Sequence, residues 1–175
     1  ERYRAYRKNY KLAGEYKYEP EFPLYLMLEQ SYSCNLKCPS CIHGFPDEKI
    51  KFDLSDKVMS RELFEKIVLE GEENKCPSIA FMVNDEPLIV PDLPDRVRYA
   101  KEHNFMDLLM TTNGTLLTPK KSIELIEAGI TRVLFSVDAA TEATYEKIRP
   151  GLKGGFNRLW DNLNALVEIK KSRNL

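Results

Sequence analysis

The chain has no surplus of either charge. Twenty-six Lys and Arg stand against 27 Asp and Glu, a formal net charge of −1. A general nucleic-acid binder would show a basic excess or patch, so that class is disfavoured. No apolar run approaches the roughly 18 to 20 residues of a membrane span. The first residues, Glu1-Arg2-Tyr3-Arg4, hold no apolar signal core, so export is not indicated and a cytoplasmic location is expected. Glu1 is not a start methionine, which reads as a processed or trimmed chain. There is no internal repeat and no low-complexity tract. Cysteine is scarce as well: four in 175 residues are too few for a disulfide scaffold.

What is present fits a folded globular unit. Hydrophobic residues make up 43% and charged residues 30%, fractions that exclude a disordered chain. The length suggests one domain with a buried core. Residues 1–23 stand apart as an N-terminal extension. They carry Tyr3, Tyr6, Tyr10, Tyr16 and Tyr18 among basic residues and close with Pro20 and Pro23. This predicts a short amphipathic helix and then an extended arm. Packing of the tyrosines on the domain is preferred to the nucleic-acid contact that aromatic–basic mixtures can also make.

From residue 24 to 175 the pattern alternates. Apolar runs at 24–28, 79–83, 108–110 and 133–137 predict four strands. Between them lie helical stretches. Ser60 caps one that runs to about Gly71, with Leu63, Phe64, Ile67 and Val68 on one face. A second runs through Tyr99 to His103. Thr118-Pro119 opens a third and Gly129 closes it. Two helical stretches end the chain, the last carrying Leu159, Leu163, Leu166 and Ile169. Strands alternating with helices imply βαβ units and an α/β fold with a parallel sheet in sequential order.

The chemically unusual residues follow the strands. Strand one leads into Ser33-Cys34-Asn35-Leu36-Lys37-Cys38-Pro39-Ser40-Cys41, and strand two into Asn84-Asp85-Glu86-Pro87. Strand three leads into Thr111-Thr112-Asn113-Gly114, and strand four carries Ser136 and ends at Asp138. Parallel α/β folds bind ligands at the carboxyl ends of their strands, so four such loops in register describe a site.

Cys34, Cys38 and Cys41 are spaced C-x3-C-x2-C, and Cys76 stands alone before strand two. Three thiolates on one short loop can hold three corners of an iron–sulfur cubane, leaving one iron open to a small molecule. The competing reading is a structural zinc site with His43 as fourth ligand, although His43 lies only two residues beyond Cys41. Cys76 reads as a small buried hydrophobe.

This motif directly after a first strand resembles the signature of the radical S-adenosylmethionine superfamily. Asn84-Asp85-Glu86-Pro87 resembles that family's Gly-Gly-Glu-Pro segment, and Thr112-Asn113-Gly114 its turn after strand three. Ser136-Val137-Asp138 with Tyr145-Glu146-Lys147-Ile148-Arg149 resembles the subgroup with SPASM or twitch extensions. The resemblance implies a partial (β/α)6 barrel, of which four units are present, so the chain reads as a fragment. The family's later Gly-x-Ile-x-Gly-x-x-Glu segment is absent.

The resemblance also implies a function. A [4Fe–4S] cluster on Cys34, Cys38 and Cys41 would pass an electron to S-adenosylmethionine. Cleavage would give a 5′-deoxyadenosyl radical that takes a hydrogen from a substrate. Glu86 matches a residue beside the methionine amino group. Ser136 and Thr112 match residues near the ribose and carboxylate, Asp138 and Arg149 are further cofactor contacts, and Ile42 is an apolar neighbour for adenine. Glycines stand in the family where this chain has Asn84 and Asp85. The implied partners are a peptide, sugar or other small-molecule substrate and an electron donor such as flavodoxin or ferredoxin, with neither nucleic acid nor membrane. The alternative is a non-catalytic iron–sulfur or zinc protein on the same scaffold.

Overall fold

Residues 1–45 and 58–175 are described in the structure, a computed structural model. Four strands, β1 (Leu26–Met27), β2 (Ser78–Ala80), β3 (Asp107–Thr112) and β4 (Arg132–Phe135), form one parallel sheet in the order β1-β2-β3-β4. Among the described residues six α-helices accompany them: α1 (Arg2–Gly14), α2 (Arg61–Glu73), α3 (Leu93–Glu102), α4 (Pro119–Ala128), α5 (Glu142–Ile148) and α6 (Gly155–Ser172). This is the α/β architecture expected from the alternation.

The helix starts follow their capping residues. Ser60 Oγ accepts from the Leu63 amide at 3.1 Å, and Thr118 Oγ1 from the Lys121 amide at 3.3 Å. Gly129 ends α4 at φ 97°, a left-handed position that favours glycine. On α2 the buried stripe is Phe64, Val68 and Gly71, an i, i+4, i+7 row. Leu63 falls off that row and is 49% exposed, unlike its expected placement.

Strand register decides which side chains meet the helices. Leu26 pairs with Ile79 and Ile79 with Leu108, and this row joins a core with Phe64, Val68, Leu93, Val97, Ala100 and Leu125. The next row, Met27, Ala80, Leu109 and Arg132, faces the other way because side chains alternate along a strand. The crossover helices thus share one face of the sheet. The extension helix α1 takes the opposite face: Tyr6, Arg7 and Tyr10 share a recess with Tyr25, Leu109, Arg132 and Leu134. Tyr6 is buried there, whereas Tyr16 is fully exposed.

β1 and β2 are shorter than the apolar runs that contain them. Pairing continues one step beyond, through Leu28 N–H to Ala80 O and Phe81 N–H to Leu109 O. Further on, the amides of Gln30, Ser31 and Val83 turn to the Asp85 carboxylate. A side chain from the following loop has replaced the ladder, and the strands part above the sheet. No described helix is long and apolar enough to cross a membrane.

Candidate active site

The cysteine loop leaves β1 and is tied down at several points. Leu36 is buried in its centre. Lys37 N–H donates to Pro150 O at 2.7 Å, joining the loop to the segment after α5. Cys41 N–H donates to Cys38 O at 2.9 Å, and a short 3₁₀ turn, Ile42–Gly44, closes the loop. A Cβ at position 44 would run into the Cys38 carbonyl, so this close approach requires glycine.

Cys34, Cys38 and Cys41 are free and half-buried. All three line one cleft of about 200 Å³, with Met82, Glu86, Thr112, Asn113, Ser136 and Arg149 also in its walls. Burial pushes the Cys34 and Cys38 thiols up. The Leu36 amide, 3.4 Å from Cys34 Sγ, opposes this at one, and the Arg149 guanidinium, 3.9 Å from Cys38 Sγ, at the other. Cys76 lies before β2, buried, with its thiol toward Ser78 O.

Among the described residues no three His, Cys, Asp or Glu converge tightly enough for a single metal ion. His43 Nε2 lies 3.0 Å from the Asn84 carbonyl oxygen, and its ring packs on Tyr32. A zinc ion needs four ligands at about 2.0–2.3 Å from one point. A cluster takes one thiolate at each of several separate corners. Three free thiols around one cleft, with N–H donors beside two of them, fit the second donor set.

Glu86 is 2% exposed. Its Oε1 accepts from Thr112 Oγ1–H at 2.6 Å and from the Leu88 amide at 3.2 Å, and its Oε2 accepts from the Asn113 amide at 2.8 Å. Burial raises its pKa, and those three donors hold it back. A carboxylate oxygen can accept about two hydrogen bonds, so Oε2 retains an acceptor position. Thr112, expected as a cofactor contact, spends its proton on Glu86, and its oxygen accepts from Gly114 N–H.

Ser136 follows β4 and is fixed by its own amide, which donates to Thr112 O at 2.9 Å. Asp138, at φ 52°, pairs with the Arg149 guanidinium, whose Nε lies 3.0 Å from Asp138 Oδ2. The pair stands over Cys38. Ile42 sits on the 3₁₀ turn, half-buried, and is not among the cleft's lining residues.

Two polar side chains escaped the sequence reading. Asn113 Nδ2 donates to Asn35 Oδ1 at 2.9 Å, and its Oδ1 accepts from the Thr115 amide and hydroxyl, locking the strand-three turn to the cysteine loop. Asp85 braces the loops after β1 and β2. Burial pushes its carboxyl up to about 6, against the Val83 and Ser31 amides. The signal was position alone: Asn113 directly follows β3, and Asp85 lies in the loop after β2.

A family model described as the Radical SAM superfamily matches residues 28–173. The chain is 36% identical over 136 residues to a probable GTP 3′,8-cyclase of Methanococcus maripaludis, covering 78% of this chain and 43% of that protein. It is 36% identical over 120 residues to a tungsten-containing aldehyde ferredoxin oxidoreductase cofactor-modifying protein of Pyrococcus furiosus, covering 68% and 32%. Among solved structures, native anSMEcpe with bound AdoMet superposes with a TM-score of 0.67 at 21% identity, covering 85% of this chain and 42% of that one. The chain thus spans less than half the length of these relatives.

Proposed function

Because the chain belongs to the radical SAM superfamily, we propose that it forms the cofactor-binding part of an enzyme that cleaves S-adenosylmethionine reductively and removes a hydrogen from its substrate. The observation that carries this reading is one cleft at the carboxyl ends of parallel strands, lined by Cys34, Cys38, Cys41, Glu86 and Ser136.

The family's cofactors fit these residues. A [4Fe–4S] cluster would be held by Cys34, Cys38 and Cys41, and when bound with S-adenosylmethionine it supplies the electron for carbon–sulfur cleavage. The remaining roles belong to the chain. The Leu36 amide and the Arg149 guanidinium favour the thiolate forms of Cys34 and Cys38. Glu86 offers Oε2 to the ammonium of the methionine moiety. Thr112 acts through Glu86 by holding Oε1 in place. Ser136 offers a hydroxyl to the ribose or carboxylate, and Arg149, oriented by Asp138, reaches the same region. Ile42, next to Cys41 on the 3₁₀ turn, is the apolar side chain the proposal assigns to the adenine.

Two relatives carry names that refer to GTP and to a cofactor, which supports a small-molecule substrate over a peptide. A flavodoxin or ferredoxin is the fitting electron donor. A SPASM or twitch extension beyond these residues remains part of the proposal. The rival zinc reading is weakened because no three His, Cys, Asp or Glu among the described residues converge on a single ion; a non-catalytic iron–sulfur protein is the other rival.

Anaerobic reconstitution decides between them. Iron and sulfide near four each per chain are expected, with a change in the reduced cluster's EPR spectrum when S-adenosylmethionine is added. Zinc without iron, or a cluster indifferent to S-adenosylmethionine, overturns the proposal.

A further inference from the structure

Asp85 is a carboxylate that the proposed chemistry does not consume. It precedes Glu86, at a position where the resembled pattern has glycine. Its Oδ2 accepts from the Gln30 amide at 3.2 Å and the Ser31 amide at 3.1 Å. Its Oδ1 accepts from the Val83 amide at 3.2 Å. These are the amides left over where the β1–β2 ladder stops. The bonds cross 54 and 55 residues of sequence to reach the start of the cysteine loop.

Neighbouring bonds follow the same line. Asn84 N–H donates to Glu29 Oε1 at 3.0 Å, Asn84 O lies 3.0 Å from His43 Nε2, and Glu86 N–H donates to Ser33 O at 2.9 Å. The loop carrying Glu86 is therefore laced to the loop carrying the cysteines on both sides of Asp85. Within that lacing Asp85 supplies three bonds from one side chain.

We propose that Asp85 is a positioning residue that sets the Glu86 carboxylate at a fixed place relative to the cysteine loop, and so governs affinity for the aminocarboxylate end of S-adenosylmethionine. The residue type follows from the chemistry. An ionised carboxylate is acceptor-only, with about four lone-pair sites on two oxygens, and can satisfy three amides that point inward. Asparagine has one accepting oxygen and would turn an NH2 group toward an amide. Glycine has no acceptor. Unsatisfied amides in a part-buried loop relax until they find water, and Glu86, the next residue, moves with them.

This inference rests on the reading that Glu86 meets the cofactor, and the experiment separates the two. Reconstituted chain and its Asp85→Asn, Asp85→Gly, Glu86→Gln and Asp85→Asn/Glu86→Gln variants are titrated anaerobically with S-adenosylmethionine, with iron content and thermal midpoint measured alongside. Both Asp85 variants should retain iron and sulfide and bind the cofactor about tenfold more weakly, as when a supporting residue around a site is lost. The double variant should bind no more weakly than Glu86→Gln, because Asp85 acts through Glu86. A merely structural role would add its loss to that of Glu86→Gln and would lower the thermal midpoint in parallel.

Unchanged affinity in Glu86→Gln sinks the reading on which the inference rests. Weakened binding there with unchanged affinity in both Asp85 variants sinks the inference alone. Additive losses in the double variant, or loss of iron from both Asp85 variants, also overturn it. Asp85→Gly, which removes the side chain without adding bulk, keeps the test decisive if Asp85→Asn does not fold.

Discussion

Cys76 carries the same thiol as the three cysteines of the cleft and none of their surroundings. It is 4% exposed, burial pushes its pKa up, and its Sγ faces a backbone oxygen at the amino end of β2. Cys76→Ala should therefore leave iron and sulfide per chain unchanged and cost about 1 kcal/mol of stability, the price of one small buried group. Loss of the cluster in this variant would show that the ligand set is wrong. Asp85 yields a pH prediction. Its carboxyl is raised from 3.8 to about 6 by burial, and Glu86 is raised by the same cause. The folded chain therefore binds more protons than the unfolded chain between about pH 4 and 6, and stability falls as pH rises through that window. Glu62 and Glu72 are shifted down, so they lose their contribution only at more acid pH. The thermal midpoint should rise as pH is lowered from 7.5 to 5.5, and Asp85→Asn should flatten that rise; an unchanged slope in the variant counts against the assignment. That the three cysteines, Glu86 and Ser136 share one cleft was legible, because the cysteines and Glu86 follow apolar runs that read as strands and Ser136 lies near the carboxyl end of one. The work of Asp85 and Asn113 was not. A side chain that satisfies backbone amides 54 residues away leaves no period in the sequence.

The elements show the same division. Helix ends could be read because their signals are local. Ser60 caps α2, Thr118 caps α4, and Gly129 closes α4, all as expected. Thr118→Ala should cost about 1 kcal/mol in urea unfolding and leave iron content intact. Strand ends could not be read, because they depend on partners from other strands. Residues 24–28 look like one strand, but β1 is Leu26–Met27, with one further ladder bond from Leu28 N–H to Ala80 O before the Gln30 and Ser31 amides turn to Asp85. The turn at Ile42–Gly44 gives a sharper test. Glycine at 44 lets the chain pass against the Cys38 carbonyl. Gly44→Ala must displace that carbonyl, and Cys38 with it. It should lower iron per chain markedly while far-UV circular dichroism stays unchanged, since α1 to α6 do not depend on the contact. Full iron incorporation in Gly44→Ala would mean that the cysteine loop tolerates rearrangement.

At the scale of the whole molecule, the two ends of the sheet do different work. The carboxyl ends hold the cleft. The amino ends hold a polar cluster that the sequence did not reveal, because its members come from three strands. Asp107 at the start of β3 has a side chain only 1% exposed, and Arg132 at the start of β4 clasps it at 2.9 and 2.6 Å. Ser78 Oγ and Thr131 Oγ1 also lie 3.3 Å from the carboxylate, each closer to a backbone oxygen, Asp107 O at 3.0 Å and Leu108 O at 2.8 Å. Arg132 also lines the recess that α1 borders, and the pair itself joins β4 to β3. Parallel α/β barrels place chemistry at one end and stability at the other, and that separation can be measured. Arg132→Met keeps most of the side chain's bulk and leaves the buried Asp107 without its cation. Breaking one partner of a buried pair costs about 3 kcal/mol or more; the part-exposed Arg132 places this case near the lower end. The urea midpoint should drop accordingly, while iron content and S-adenosylmethionine affinity of the folded fraction stay unchanged. Adding Asp107→Leu should recover part of the loss, because no uncompensated charge then remains. If Arg132→Met instead weakens cofactor binding in chain that is still fully folded, the two ends are coupled and the division of labour along the strands is wrong.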